Sequence, residues 1–142
     1  MSFTPKTPYL TVDGIIELYD ESNTFQGIVL IERKYPPLGL ALPGGFVDVG
    51  ERVEDALRRE MLEETSLEVS ELRLLGVYSD PSRDKRFHTV SCVYICKAHG
   101  TPKGCDDAKK ATLYPLAEIP LEQLVFDHRT IVEDYLRFRG GM

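Results

Sequence analysis

RVEDALRREMLEET, residues 52–65, is the stretch on which the reading of this chain turns. On a helical wheel of about 100° per residue, Val53, Ala56, Leu57 and Met61 gather on one side. Glu54, Asp55 and Arg58 lie away from that side, as surface charges should. Glu60 and Glu64 do not: they fall within the apolar stripe, with Glu63 at its edge. An ionised carboxylate buried without a partner is costly, so such groups pair with a cation or change protonation. Glu60 and Glu64 are also like charges four residues apart, which disfavours a helix by about 0.2–0.5 kcal/mol. Positive charge must offset this. Arg59, four residues before Glu63, is one source. The other is a divalent ion, because carboxylate oxygens from adjacent helical turns suit Mg²⁺ or Mn²⁺. A generic acidic helix would instead satisfy such groups with lysine, arginine and water.

The segment before this helix, KYPPLGLALPGGFVDVGE (34–51), is rich in Pro and Gly and reads as a long loop. Loops of that length inside small domains are commonly functional. Gly44 and Gly45 permit close backbone approaches, so carbonyls there could meet a metal and amides a phosphate. Upstream, LTVDGIIELY (10–19) alternates. Leu10, Val12, Ile16 and Leu18 share one face and Thr11, Asp13 and Glu17 the other, which predicts a strand with one buried face. GIVLIER (27–33) reads as a buried strand. LRLLGVYSD and HTVSCVYICKA read as two more strands joined by the charged turn DPSRDKRF, and ATLYPL as a further short one. A last helix has Asp127 as its N-cap, a stripe of Ile131, Val132, Tyr135 and Leu136, and Gly140 at its end. Strands interleaved with two helices predict an α/β or α+β class with a mixed sheet.

The bulk numbers agree with one domain spanning residues 1–142. Apolar residues are 42% and charged residues 28%, an ordinary globular balance. The net charge of −6 argues against nucleic-acid binding and requires cations if the substrate is anionic. No run of 18 apolar residues is present, so no membrane-spanning helix is expected. The start, MSFTPKTPYL, lacks the order of a signal peptide. Cys92, Cys96 and Cys105 lack framework spacing, which predicts a reduced, cytoplasmic protein in which Cys92 and Cys96 pack within a strand rather than bind zinc.

Taken together, the loop and helix resemble the Nudix box, G-x5-E-x7-R-E-U-x-E-E-x-G-U with U aliphatic. The matches are Gly45, Glu51, Arg59, Glu60, Met61, Glu63, Glu64 and Leu67. Ser66 stands where the pattern has glycine, at the end of the helix, and so bears on loop geometry more than on chemistry. YLTVDGIIEL, ALPGGFVDVGE, GVYSDPSRDKRFHTVSCVY, DDAKKATLYPLAEIP and FDHRTIVEDYL extend the likeness to the ADP-ribose pyrophosphatase branch of Nudix hydrolases. Pro81 stands where that branch has a proline after the box.

The resemblance implies an α/β/α sandwich around a mixed sheet, and Mg²⁺-dependent hydrolysis of ADP-ribose to AMP and ribose 5-phosphate. Other nucleoside diphosphate derivatives, or a non-catalytic nucleotide sensor, are the competing readings. It implies that Glu60, Glu63 and Glu64, with the Gly44 carbonyl, hold the metal. Arg59 would orient the glutamates and Glu51 bridge loop and helix. The base would be Glu64 or Glu63, or else Asp106 or Asp107 in the turn CDDAKK. Arg86, then Arg83, and Arg33 at a strand end suit diphosphate oxygens. His88 reads as structural. A homodimer is consistent with the family, with Phe3, Tyr9 and Leu10 contributing.

Overall fold

A computed structural model describes residues 2–104 and 108–140. Its strands are β1 (Tyr9–Tyr19), β2 (Phe25–Arg33), β3 (Leu40–Ala41), β4 (Gly44–Phe46), β5 (Ser70–Tyr78), β6 (Thr89–His99) and β7 (Ala108–Tyr114). Its helices are α1 (Val53–Thr65) and α2 (His128–Gly140), with two single 3₁₀ turns between β7 and α2. The sheet runs β3-β2-β1-β6-β5, with β4 also paired to β1 and β7 to β2. β1 and β6 are parallel, and every other pairing is antiparallel. This is the mixed-sheet α/β architecture expected from the sequence.

Each face of the sheet carries its own core. Val12, Ile16, Val29 and Ile31 pack with Ala56, Leu57 and Met61 of α1. Ile15, Ile28, Leu30, Val93 and Ile95 pack with Ile131, Val132 and Tyr135 of α2. Gly14 makes the first packing possible, since a Cβ there would stand 2.5 Å from Met61 Sδ.

Two sequence readings need correction. β1 is not half-solvated: it lies mid-sheet with α2 over its second face, so Asp13 and Glu17 are both buried. Glu17 is satisfied there by Tyr135 Oη and Arg139 Nη1, each donating at 2.7 Å. The segment 34–51 is not structureless either. β3 pairs with β2, and β4 pairs with β1 in the register Asp13↔Gly44, Val12↔Gly45 and Thr11↔Phe46. The two glycines are therefore fixed against the central strand. Cys96 is buried, as the strand reading required.

α1 ends on Ser66, the residue that stands where the box pattern has glycine. Ser66 adopts φ 63°, a left-handed conformation, and donates its N–H to Leu62 O at 3.0 Å. Glycine takes this conformation at lowest cost, which explains the glycine of the box pattern.

Candidate active site

α1 lies against β4 and β1, so its misplaced glutamates face the loop rather than the hydrocarbon core. Arg59 organises them. Its Nε and Nη2 donate to the two oxygens of Glu51 at 2.8 and 2.9 Å. Its Nη1 donates to Glu60 Oε1 at 2.9 Å and makes longer contacts with Glu63 at 3.4 and 3.5 Å. Nη2 also reaches the carbonyl of Phe46 at 3.0 Å. One guanidinium thus joins helix, loop and β4. Its bonds hold the Glu51 carboxyl down at about 2. Glu64 is buried and accepts the Gly44 N–H through Oε1 at 2.8 Å. Gly45 leaves room for Glu60, whose carboxylate occupies the place a Cβ would take.

This acidic wall is under-compensated. Burial, a hydrogen bond with Glu63 and the charge of Glu64 push the Glu60 carboxyl up to about 8, against the pull of Arg59. Among the described residues, no three acidic, histidine or cysteine side chains close around one point as a finished metal cage. Glu60 is turned to Arg59 and Glu64 to the Gly44 amide. The donor set itself consists of hard oxygens with excess negative charge, which fits a divalent cation once those side chains turn toward it.

The wall forms one side of a cavity of about 410 Å³. Its floor carries polar groups that sequence reasoning missed. Asp13 accepts from Ser91 Oγ at 2.5 Å and stands 3.7 Å from His128 Nε2. Burial raises the Asp13 carboxyl to about 7 and lowers His128 to about 3. His128 Nδ1 accepts the Leu42 N–H at 3.0 Å. The neutral ring therefore carries its proton on Nε2, facing Asp13. Alternation had put Asp13 on the strand's other face, but only α2 folding over that face buries it.

The arginines divide. Arg86 and Arg33 line the cavity. Arg86 is partly exposed and is held by Asp84, which accepts from Nε and Nη2 at 3.0 and 2.8 Å. Burial opposes ionisation of Asp84, but these bonds prevail and lower its carboxyl. Arg33 Nε donates to Pro37 O at 2.8 Å. Phe126 joins the two, lying 5.0 Å from the Arg33 guanidinium and 5.3 Å from that of Arg86. Arg83 also lines the cavity, but it is buried with its fork closed. It donates to Asp127 at 2.9 and 2.8 Å and to Thr89 Oγ1 at 2.7 Å. Asp127, read as an N-cap, is spent on this pair. His88 binds the Ser79 carbonyl at 2.9 Å, a structural role as expected. Asp106 and Asp107 lie outside the described residues.

The family model described as NUDIX domain matches residues 8–135. The chain is 46% identical over 137 residues to an ADP-ribose pyrophosphatase of Methanocaldococcus jannaschii, covering 94% of this chain and 76% of that one. It superposes with a TM-score of 0.81 and 26% identity on the NUDIX domain of Shewanella oneidensis NrtR complexed with ADP ribose, covering 94% of this chain and 90% of that one. A second structure is a bifunctional NMN adenylyltransferase/ADP ribose pyrophosphatase from Francisella tularensis complexed with AMP and a Mn ion. The TM-score is 0.80 with 27% identity, covering 94% of this chain but only 42% of that larger protein.

Proposed function

The chain belongs to the NUDIX family, and on that premise we propose that it hydrolyses the diphosphate bond of ADP-ribose to AMP and ribose 5-phosphate. The observation that carries this reading is the convergence of Glu60 and Glu64 on one cavity wall, ordered by Arg59 and the Gly44 amide, with Glu63 held beside them by the same Arg59 and with Arg33 and Arg86 also lining the cavity. Close likeness to a protein named for this activity supports the substrate.

Glu60, Glu63 and Glu64, with the Gly44 carbonyl, would hold Mg²⁺ or Mn²⁺. When bound, such an ion neutralises diphosphate charge and lowers the pKa of water. The protein's own groups do the rest. Arg59 keeps the glutamates in register, and Glu51 fixes Arg59 to the loop. Arg33 and Arg86, which also line the cavity, supply guanidiniums for phosphate oxygens. Glu64 or Glu63 takes the proton of the attacking water. Arg83, whose guanidinium is held by Asp127 and Thr89, pins the hairpin to α2 at the edge of the same cavity. The whole chain acts as one catalytic domain in a reduced, cytoplasmic setting.

The test is incubation with ADP-ribose, with Mg²⁺ or with EDTA, beside NADH, diadenosine polyphosphates, sugar nucleotides and oxidised dGTP. Metal-dependent AMP and ribose 5-phosphate, formed faster than any other product pair, is the expected result. Preferred turnover of another member would keep the chemistry and overturn the substrate.

A further inference from the structure

Three aromatic rings, from β1, β4 and the turn before β6, meet beside the cavity, which Phe46 lines. Tyr9 lies at the start of β1, Phe46 at the end of β4, and Phe87 just before β6. Tyr9 packs edge-on to Phe87 at 5.0 Å and to Phe46 at 5.9 Å, and Phe46 and Phe87 are 6.1 Å apart. Backbone pairing fixes the cluster: Tyr9 N–H donates to His88 O at 3.0 Å, and Phe46 is in register with Thr11. Yet the rings are 57%, 46% and 36% exposed. A pre-ordered aromatic cluster left about half exposed to solvent marks a contact surface rather than core.

We propose that this cluster is the aryl subsite of the enzyme, where the nucleobase of the substrate stacks; this rests on the function proposed above. Three observations point there. The cluster is continuous with the cavity through Phe46, whose carbonyl is bonded to the Arg59 that holds Glu60. Arg86 bridges base side and phosphate side, lying 5.0 Å from the Phe87 ring and 5.3 Å from the Phe126 ring. Phe126, the other phenyl ring lining the cavity, already carries two guanidiniums, which suits it to hold arginines rather than a base. A nucleotide with its diphosphate between the carboxylate wall and Arg86 thus has its base directed to Tyr9, Phe46 and Phe87. The opposite half of the substrate, a sugar phosphate without an aromatic ring, gains nothing from this cluster.

The products separate the two halves. AMP and ribose 5-phosphate are titrated by calorimetry into the wild type and into Phe46→Leu, Phe87→Leu and Tyr9→Leu, all of which preserve the backbone bonds. Base–aromatic stacking predicts that AMP affinity falls about tenfold to a hundredfold in Phe46→Leu while ribose 5-phosphate affinity is unchanged. Phe46→Tyr should restore AMP binding, and the adenine H2 and H8 resonances of bound AMP should show upfield ring-current shifts that Phe46→Leu abolishes. Equal AMP affinity in wild type and all three variants overturns the proposal while leaving the hydrolase reading intact. So does a change in sedimentation from dimer to monomer in the variants without loss of AMP binding, which would make the cluster a subunit interface. Phe46-dependent AMP binding by a protein that does not cleave ADP-ribose would uphold the subsite and overturn the hydrolase.

Discussion

Arg83 grips Asp127 with two parallel hydrogen bonds, 2.9 Å from Nε and 2.8 Å from Nη2, across 44 residues of sequence. The pair ties the charged turn between β5 and β6 to the residue that precedes α2. Nothing about the spacing of DPSRDKRF distinguishes this arginine from Arg86, three residues on. Burial does, because the Arg83 side chain is 5% exposed and that of Arg86 44%.

The two arginines should therefore fail differently. Arg83→Ala leaves Asp127 without its cation and should destabilise the protein by about 3 kcal/mol, as expected for removing one partner of a largely buried pair. Arg86→Ala also leaves a buried carboxylate, Asp84, without its cation and so should lower the melting temperature too, but in addition it should raise KM for ADP-ribose about tenfold or more, with a smaller effect on kcat. Urea denaturation and steady-state kinetics on both variants check this. An Arg83→Ala protein with wild-type stability and a raised KM would exchange the roles assigned here.

Glu64 is bonded to the Gly44 amide, and a glutamine can accept the same N–H. Glu64→Gln should keep its fold and melting temperature but lose about 10²–10⁴-fold in kcat, the range for losing a positioned acid–base group. Removing divalent metal with EDTA should abolish turnover in the wild type and restore it on adding Mg²⁺. Persistence of wild-type kcat in Glu64→Gln would remove this residue from the chemistry.

Ser66 holds a left-handed backbone at φ 63° that glycine adopts more cheaply. Ser66→Gly should gain about 0.5–1 kcal/mol, a rise of roughly 2–4 °C in Tm for a chain of this size. Activity should not change, since among the described residues Ser66 Oγ donates to the Lys103 carbonyl at 3.3 Å and Ser66 does not line the cavity. Differential scanning calorimetry decides, and a lower Tm would show that this contact outweighs the backbone strain.

His128 provides the pH test. Burial first, then the charges of Arg83 and Arg33, hold it near a pKa of about 3, below the ordinary value of 6.5. At this ring the folded protein therefore binds fewer protons than the unfolded chain between those values, so the contribution of His128 to stability falls as pH drops from 6.5 toward 3, while the raised carboxyls of Asp13 and Glu60 act in the opposite sense. Protonation would also turn Nδ1 from the acceptor of the Leu42 N–H into a donor. His128→Gln, whose amide oxygen can accept that N–H, should show a shallower loss of Tm over the same window. Parallel slopes in the two proteins would mean that other carboxylates account for the acid sensitivity.

Much of this molecule was legible in its residues because the relevant order is local. The 3.6-residue period of α1 and the intrusion of Glu60 and Glu64 into its apolar stripe lie within one helix. The runs that became β2, β5, β6 and β7 announced themselves by composition. What sequence could not decide was set by contacts between distant segments. Asp13 and Glu17 alternate as a solvated face would, and only α2 closing over the sheet buries them, with Tyr135, Arg139, Ser91 and His128 coming from more than 70 residues away. The chain segment 34–51 has no period, so its pairing with β1 and β2 had no local signature. Arg83 and Arg86 share one turn, and a neighbour 44 residues distant makes Arg83 a buried pin while Arg86 stays partly exposed. The box residues were written in the helix; the cavity they serve required the sheet to bring β1, β4 and the last loop together, because hydrogen-bond partners and burial are properties of the assembled fold.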